Sequence, residues 1–79
     1  MSEAFEVLWD WPALVTFYRL APHTATIVDR AVIRFVEWGE GHVEQRPPYV
    51  RLRAGFHDVV LIVDRNDGLV TVLRVYRAR

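Results

Sequence analysis

The sequence predicts an α+β domain ordered β-α-α-β-β-β, an antiparallel sheet with a helical hairpin packed on one face. Three observations predict it. The segment after Pro22 repeats apolar residues with a helical period, at Ile27, Val28, Ala31, Val32 and Phe35. From Tyr49 onward the chain is strand-like and carries two turn signals, Ala54-Gly55 and Asn66-Asp67-Gly68. Ahead of the helices, "FEVLWDW" alternates apolar and polar at Phe5, Val7 and Trp9.

Taken in order, that first stretch is a short strand, and Asp10 is placed to cap the helix that follows. Pro12 is tolerated in a first helical turn, so the first helix is expected over about Trp11–Leu20. The second helix starts near Pro22 and ends at Gly39, with Asp29, Arg30, Arg34 and Glu37 facing water. Glu40 to Pro48 is polar and proline-bearing and reads as a loop. Three antiparallel strands follow, at Tyr49–Arg53, Phe56–Asp64 and Leu69–Arg77.

Length and composition narrow the class. Seventy-nine residues make one domain, 1–79, with no cysteine to cross-link it. A chain this small buries only about 60% of its unfolded surface, so its core must be dense or shared with another chain. The composition is 52% hydrophobic and 25% charged, which suits a folded domain and not a disordered one. No apolar run approaches the roughly 20 residues that span a bilayer, and the charged start is unlike a signal peptide. A cytoplasmic protein without a membrane partner is expected. Ten arginines balance ten acids, with no lysine, so nucleic-acid binding has no global charge surplus to draw on. The arginines are nonetheless uneven: Arg46, Arg51, Arg53, Arg65, Arg74, Arg77 and Arg79 all lie in the second half. His23, His42 and His57 have no neighbours at ligand spacing, so neither a metal nor another cofactor is expected.

The element order, the "RLAP" between the helices, "YVRLRAG" before the apolar strand and "DGLVTVLRV" after it resemble the RelE/ParE toxin superfamily over nearly the whole chain. These are patterns of residue types, and they speak for fold more strongly than for activity. The resemblance implies the toxin component of a type II toxin–antitoxin pair, with a cognate antitoxin as partner. RelE-like members cut mRNA in the ribosome, whereas ParE-like members poison DNA gyrase. For RNA cleavage, charge builds on phosphate oxygens during attack by the 2′-hydroxyl, and arginine forks stabilise it. Arg51 and Arg53 match the family's basic strand, and Arg77 or Arg79 its basic residue near the end of the last strand. The resemblance thus implies Arg51, Arg53 and Arg77 as catalytic candidates, and Arg51, Arg53, Arg77 and Arg79 as RNA ligands; Asp58, a departure from the family pattern, joins the catalytic candidates as a residue that would orient the arginines or act as a base.

The departures from the family pattern bear on mechanism. His57-Asp58 stands where many relatives have Tyr-Arg, so an acid replaces a phosphate-facing arginine. "YRA" at Tyr76 to Ala78 replaces a frequent "GHR", and the tail tyrosine of RelE-like enzymes is expected to be missing. With Ala54-Gly55 and Asp67-Gly68 as two-residue turns, Arg51, Asp58 and Arg77 would form one row across three strands. Asp58 then either retunes a site or completes a surface ion-pair ladder; an acid between arginines cancels the field a phosphate needs, which favours the ladder. His57 alternates to the face of Val59 and Leu61 and reads as a core-edge histidine. Glu37, Glu40 and Glu44 read as solvated charge.

The apolar excess points to a partner. Val59 to Val63 runs without alternation, so both faces of that strand want cover. One face would show Val60, Ile62, Leu73 and Val75, and the first helix adds Leu14, Phe17 and Tyr18. Patches of this kind mark interfaces. The antitoxin or a homodimer would cover them. A non-catalytic, protein-binding member of the fold is therefore the alternative to an mRNA endoribonuclease.

Overall fold

The computed structural model describes residues 5–78. Its elements are β1 (Glu6–Trp9), α1 (Trp11–Arg19), α2 (Pro22–Trp38), β2 (His42–Arg46), β3 (Tyr49–Ala54), β4 (His57–Asp64) and β5 (Leu69–Arg77). The α+β class and the helix pair are as expected. The sheet, however, has five strands in the order β1-β5-β4-β3-β2, and β1 lies parallel to β5. It is mixed rather than wholly antiparallel. The additional strand, β2, occupies the segment expected to be a loop. "HVEQR" has little apolar pattern because an edge strand needs little.

Local chemistry sets the helix ends. The Asp10 carboxylate accepts the Trp11 amide at 3.0 Å, and Pro12 sits in the first turn of α1. Pro22 opens α2. Gly39 closes it in the left-handed region, φ 68°, donating its amide to the Arg34 and Phe35 carbonyls. Ala13, Val28 and Val32 are the buried helix residues, and they meet Val50, Leu52, Ala54, Val59, Leu61, Val70, Val72 and Val75 from the sheet. Burying a side chain of this size contributes about 1.5–3 kcal/mol. Trp9 and Phe17, with ring centroids 4.8 Å apart, seal the β1–α1 corner.

Register differs from the turn-based expectation at both hairpins. Ala54 pairs with His57, so the first loop is Gly55-Phe56 and not Ala54-Gly55. Asp64 pairs with Leu69 across a four-residue loop. The Asp64 carboxylate holds that loop by accepting the Asn66 and Asp67 amides at 3.0 and 3.1 Å, a side-chain turn that competes with a tight hairpin. A bulge opposite Val60/Leu61 adds one residue to β5, at Leu73. Beyond it the faces of β5 exchange, so Val75 enters the core instead of joining Val60 and Ile62 on the open face.

Candidate functional site on the open sheet face

Alternation along β3 puts Val50, Leu52 and Ala54 under the helices, and Arg51 and Arg53 on the opposite, uncovered face. Opposed residues share a face, so the pairing carries these arginines into two adjacent rows. One row runs Glu44–Arg51–Val60–Arg74, and the next runs His42–Arg53–Asp58–Tyr76. The expected row Arg51–Asp58–Arg77 does not form. Arg51 lies opposite Val60, Asp58 opposite Arg53 and Tyr76, and Arg77 opposite His57 on the helix side of the sheet. The shifted turn and the β5 bulge are the physical reasons. Arg79 lies outside the described residues.

Both site arginines are committed to carboxylates. Arg53 donates its Nε–H to Asp58 Oδ1 at 2.8 Å. The Asp58 side chain is 7% exposed and that of Arg53 50%, so a buried acid is met by a half-exposed base. Glu44 accepts from Arg51 through one oxygen and from Arg46 at 3.0 Å through the other. The Tyr76 phenol and then the Glu44 charge hold Arg51 above its ordinary arginine value. The hydrogen bond from Arg46 is the largest cause holding the Glu44 carboxyl below its ordinary 4.5, with Arg51 adding to it.

That depression has a consequence for pH. A lowered folded-state pKa contributes stability that is complete above the unfolded value and is lost as pH falls through the folded one. Acidification below about 4.5 is therefore expected to loosen β2 from β3, and a Glu44→Gln variant should lack this component. Amide exchange in β2 against pH checks it; identical profiles for the two proteins would refute it.

Arg74 differs from the other two. It is exposed, and among the described residues no carboxylate lies within 4 Å of it. The sequence pattern does not disclose its place, because only the bulge puts it in the row of Arg51, across Val60. Glu44 was missed for a related reason. The signal for it was legible: "HVEQR" and "YVRLR" mirror one another about Pro47-Pro48, as the arms of a hairpin do. His57 sits at the core edge, and its Nδ1 is buried without a hydrogen-bond partner among the described atoms. Those residues hold no cluster of three or more His, Asp or Glu able to bind a metal.

The two apolar patches lie on opposite sides of the sheet. Val60, Ile62 and Leu73 are half-buried on the open face. On α1, which packs over β5 in the helix layer, Leu14 and Phe17 are half-buried and Tyr18 is 76% exposed. Phe17 is partly spent inside the fold, against Trp9 and edge-on to Tyr18 at 6.0 Å. A single partner reaches both patches only by wrapping an edge of the sheet. No helix among the described residues is long and apolar enough to cross a membrane.

Comparison with known proteins agrees with this architecture. No protein-family model matches the sequence, and no curated protein matches it either. Solved structures do. A chain of the intact E. coli RelBE toxin–antitoxin complex superposes with a TM-score of 0.77 at 18% identity, covering 96% of this chain and 99% of that one. The isolated E. coli RelE toxin gives 0.78 at 18% identity, covering 96% and 86%. The archaeal RelE–RelB complex of Pyrococcus horikoshii OT3 gives 0.76 at 14% identity, covering 95% and 96%. From β1 to β5, the chain has the fold of the RelE toxins.

Proposed function

We propose that this chain is the toxin-type component of a toxin–antitoxin pair, working in the cytoplasm as a single domain, and that its sheet face binds protein rather than cutting RNA. The observation that carries the mechanism is the Arg53–Asp58 pair. Phosphate chemistry needs cations free to meet developing negative charge, and here a buried carboxylate already holds the Nε–H of Arg53 and offsets its charge. Glu44, itself half-exposed, likewise accepts from Arg51 and offsets its charge. The partner follows from the fold: its RelE neighbours are found in complexes with RelB antitoxins. The half-buried Val60, Ile62 and Leu73 and the exposed Tyr18 are the surfaces such a partner would cover.

One observation favours a second reading, ribosome-dependent mRNA cleavage. Arg74, in the row of Arg51 and across Val60 from it, leaves an uncommitted cation on the same face. Induced expression, with and without the small reading frame adjoining this one, separates the readings when mRNA ends are mapped. Growth arrest with intact mRNA, relieved by the neighbouring frame, is the expected result, and accompanying DNA damage would identify gyrase as the target. Arrest with cleaved messages, abolished by Arg51→Ala, would establish the nuclease instead. No arrest and no complex with the neighbour's product would end the toxin reading altogether.

A further inference from the structure

The β2 edge of the sheet carries an unused set of backbone hydrogen bonds beside a cleft of mixed polarity. Arg46 and Tyr49 flank the two-residue loop Pro47-Pro48, and pairs alternate outward from it. Arg46, Glu44 and His42 therefore exchange hydrogen bonds with β3, while the amides and carbonyls of Val43 and Gln45 point away from the sheet. The same alternation follows independently from the Gly55-Phe56 loop, which turns Ala54, Leu52 and Val50 toward β4 and leaves Arg53 and Arg51 for β2. On the helix side of this edge, a cleft of about 890 Å³ is lined by Phe35, Trp38, Val43, Gln45 and Pro48. Trp38 is 72% exposed and Val43 41%. An unprotected edge next to exposed apolar side chains is a template for strand addition.

We infer that a second copy of this chain pairs with that edge, β2 against β2, antiparallel about Val43. Three symmetric registers are available, and the residues choose among them. Centring on Glu44 sets two like charges opposite one another, which is destabilising. Centring on Gln45 sets Val43 opposite Pro47 of the second copy, and proline has no amide to donate. Centring on Val43 loses no donor. It sets Val43 opposite Val43 and, twice over, His42 opposite Glu44, where the imidazole can donate to a carboxylate with acceptor capacity to spare. The two sheets become one continuous sheet with both helix layers on the same side. The Val43 pair then lies between the two Trp38 rings and closes over the apolar part of the cleft. A small domain without cross-links gains core it cannot build alone.

Cysteine cross-linking tests the register, because the chain has no cysteine of its own. Opposed hydrogen-bonded residues have Cα atoms about 5.5 Å apart, within the range a disulfide spans. Val43→Cys is expected to form a disulfide dimer under mild oxidation, and Gln45→Cys much less of one. Equal or greater cross-linking at position 45 overturns the register. Sedimentation across concentrations tests the pairing: the unmodified chain should dimerise, and Val43→Lys, opposing two ammonium groups at the axis, should dimerise at least about tenfold more weakly. Val43 is well exposed in the single chain, so Val43→Lys should keep its circular dichroism spectrum and serve as a folded control. An unmodified chain that stays monomeric throughout, or a Val43→Lys variant that dimerises undiminished, overturns the inference. Pairing of β2 with an antitoxin strand and never with itself also overturns it. None of these readouts depends on toxicity.

Discussion

Arg53→Ala is expected to destabilise the fold by about 2–3 kcal/mol, and Asp58→Ala by only about 1 kcal/mol. The asymmetry follows from burial. Removing the arginine strands a carboxylate that is 7% exposed and loses its 2.8 Å donor. An uncompensated buried charge costs about 3–5 kcal/mol in a fully enclosed pair, and the half-exposure of Arg53 lowers that figure. Removing the acid instead frees a guanidinium that already reaches water. Urea denaturation of both variants and of the double variant gives the coupling, which should exceed about 0.5 kcal/mol. Equal losses for the two single variants would overturn the asymmetry, and a coupling near zero would show that Asp58 does not depend on Arg53.

The same pair of variants separates stability from function. In Asp58→Ala the Arg53 cation joins Arg74 as an open-face arginine without a carboxylate partner among the described residues. Single-stranded RNA affinity should then rise, and its salt dependence should steepen by roughly 0.7 for each further phosphate neutralised. Asp58→Arg should raise RNA affinity further. Unchanged affinity in both would mean that Asp58 is not what quenches this face. Natural toxicity by RNA cleavage would also have to be explained without Arg53.

Much of this architecture was legible in the residues, for identifiable reasons. The helix stripe at Val28 and Val32 and the unbroken run Val59–Val63 are core signals, and both are buried or half-buried as their patterns require. Arg51 and Arg53 were placed on one face because strand alternation alone decides it. The cross-strand partners were not legible, since each depends on a loop's length. Asp64 enlarges one turn with its own side chain, and Gly55-Phe56 rather than Ala54-Gly55 makes the other. A shift of register changes every opposite neighbour, which is why Tyr76 and Arg74 stand where Arg77 was expected. β2 escaped because it is the edge strand of the sheet, and an edge strand needs little apolar alternation.

Leu52→Ala is expected to cost about 3 kcal/mol, from lost burial and the cavity left behind. A chain of this length has a total stability of only about 4–12 kcal/mol, so a large share is removed by one side chain. Leu52 is fully buried between Arg51 and Arg53, and it holds the site strand against the helices. It also supports the dimer edge. A β-carbon at Gly41, which has φ 135°, would come within 2.8 Å of the Leu52 Cδ1, so the leucine packs against the backbone leading into β2. Shortening it undermines β2 from below without touching Val43 or any charged residue. Binding to the folded state raises apparent stability by mass action, so the unmodified chain should unfold at higher urea as its concentration rises. Leu52→Ala should lower the midpoint at every concentration and flatten that dependence, because its β2 is less often in place to pair. A concentration dependence undiminished in Leu52→Ala would place the dimer contact away from β2, whatever the loss in stability.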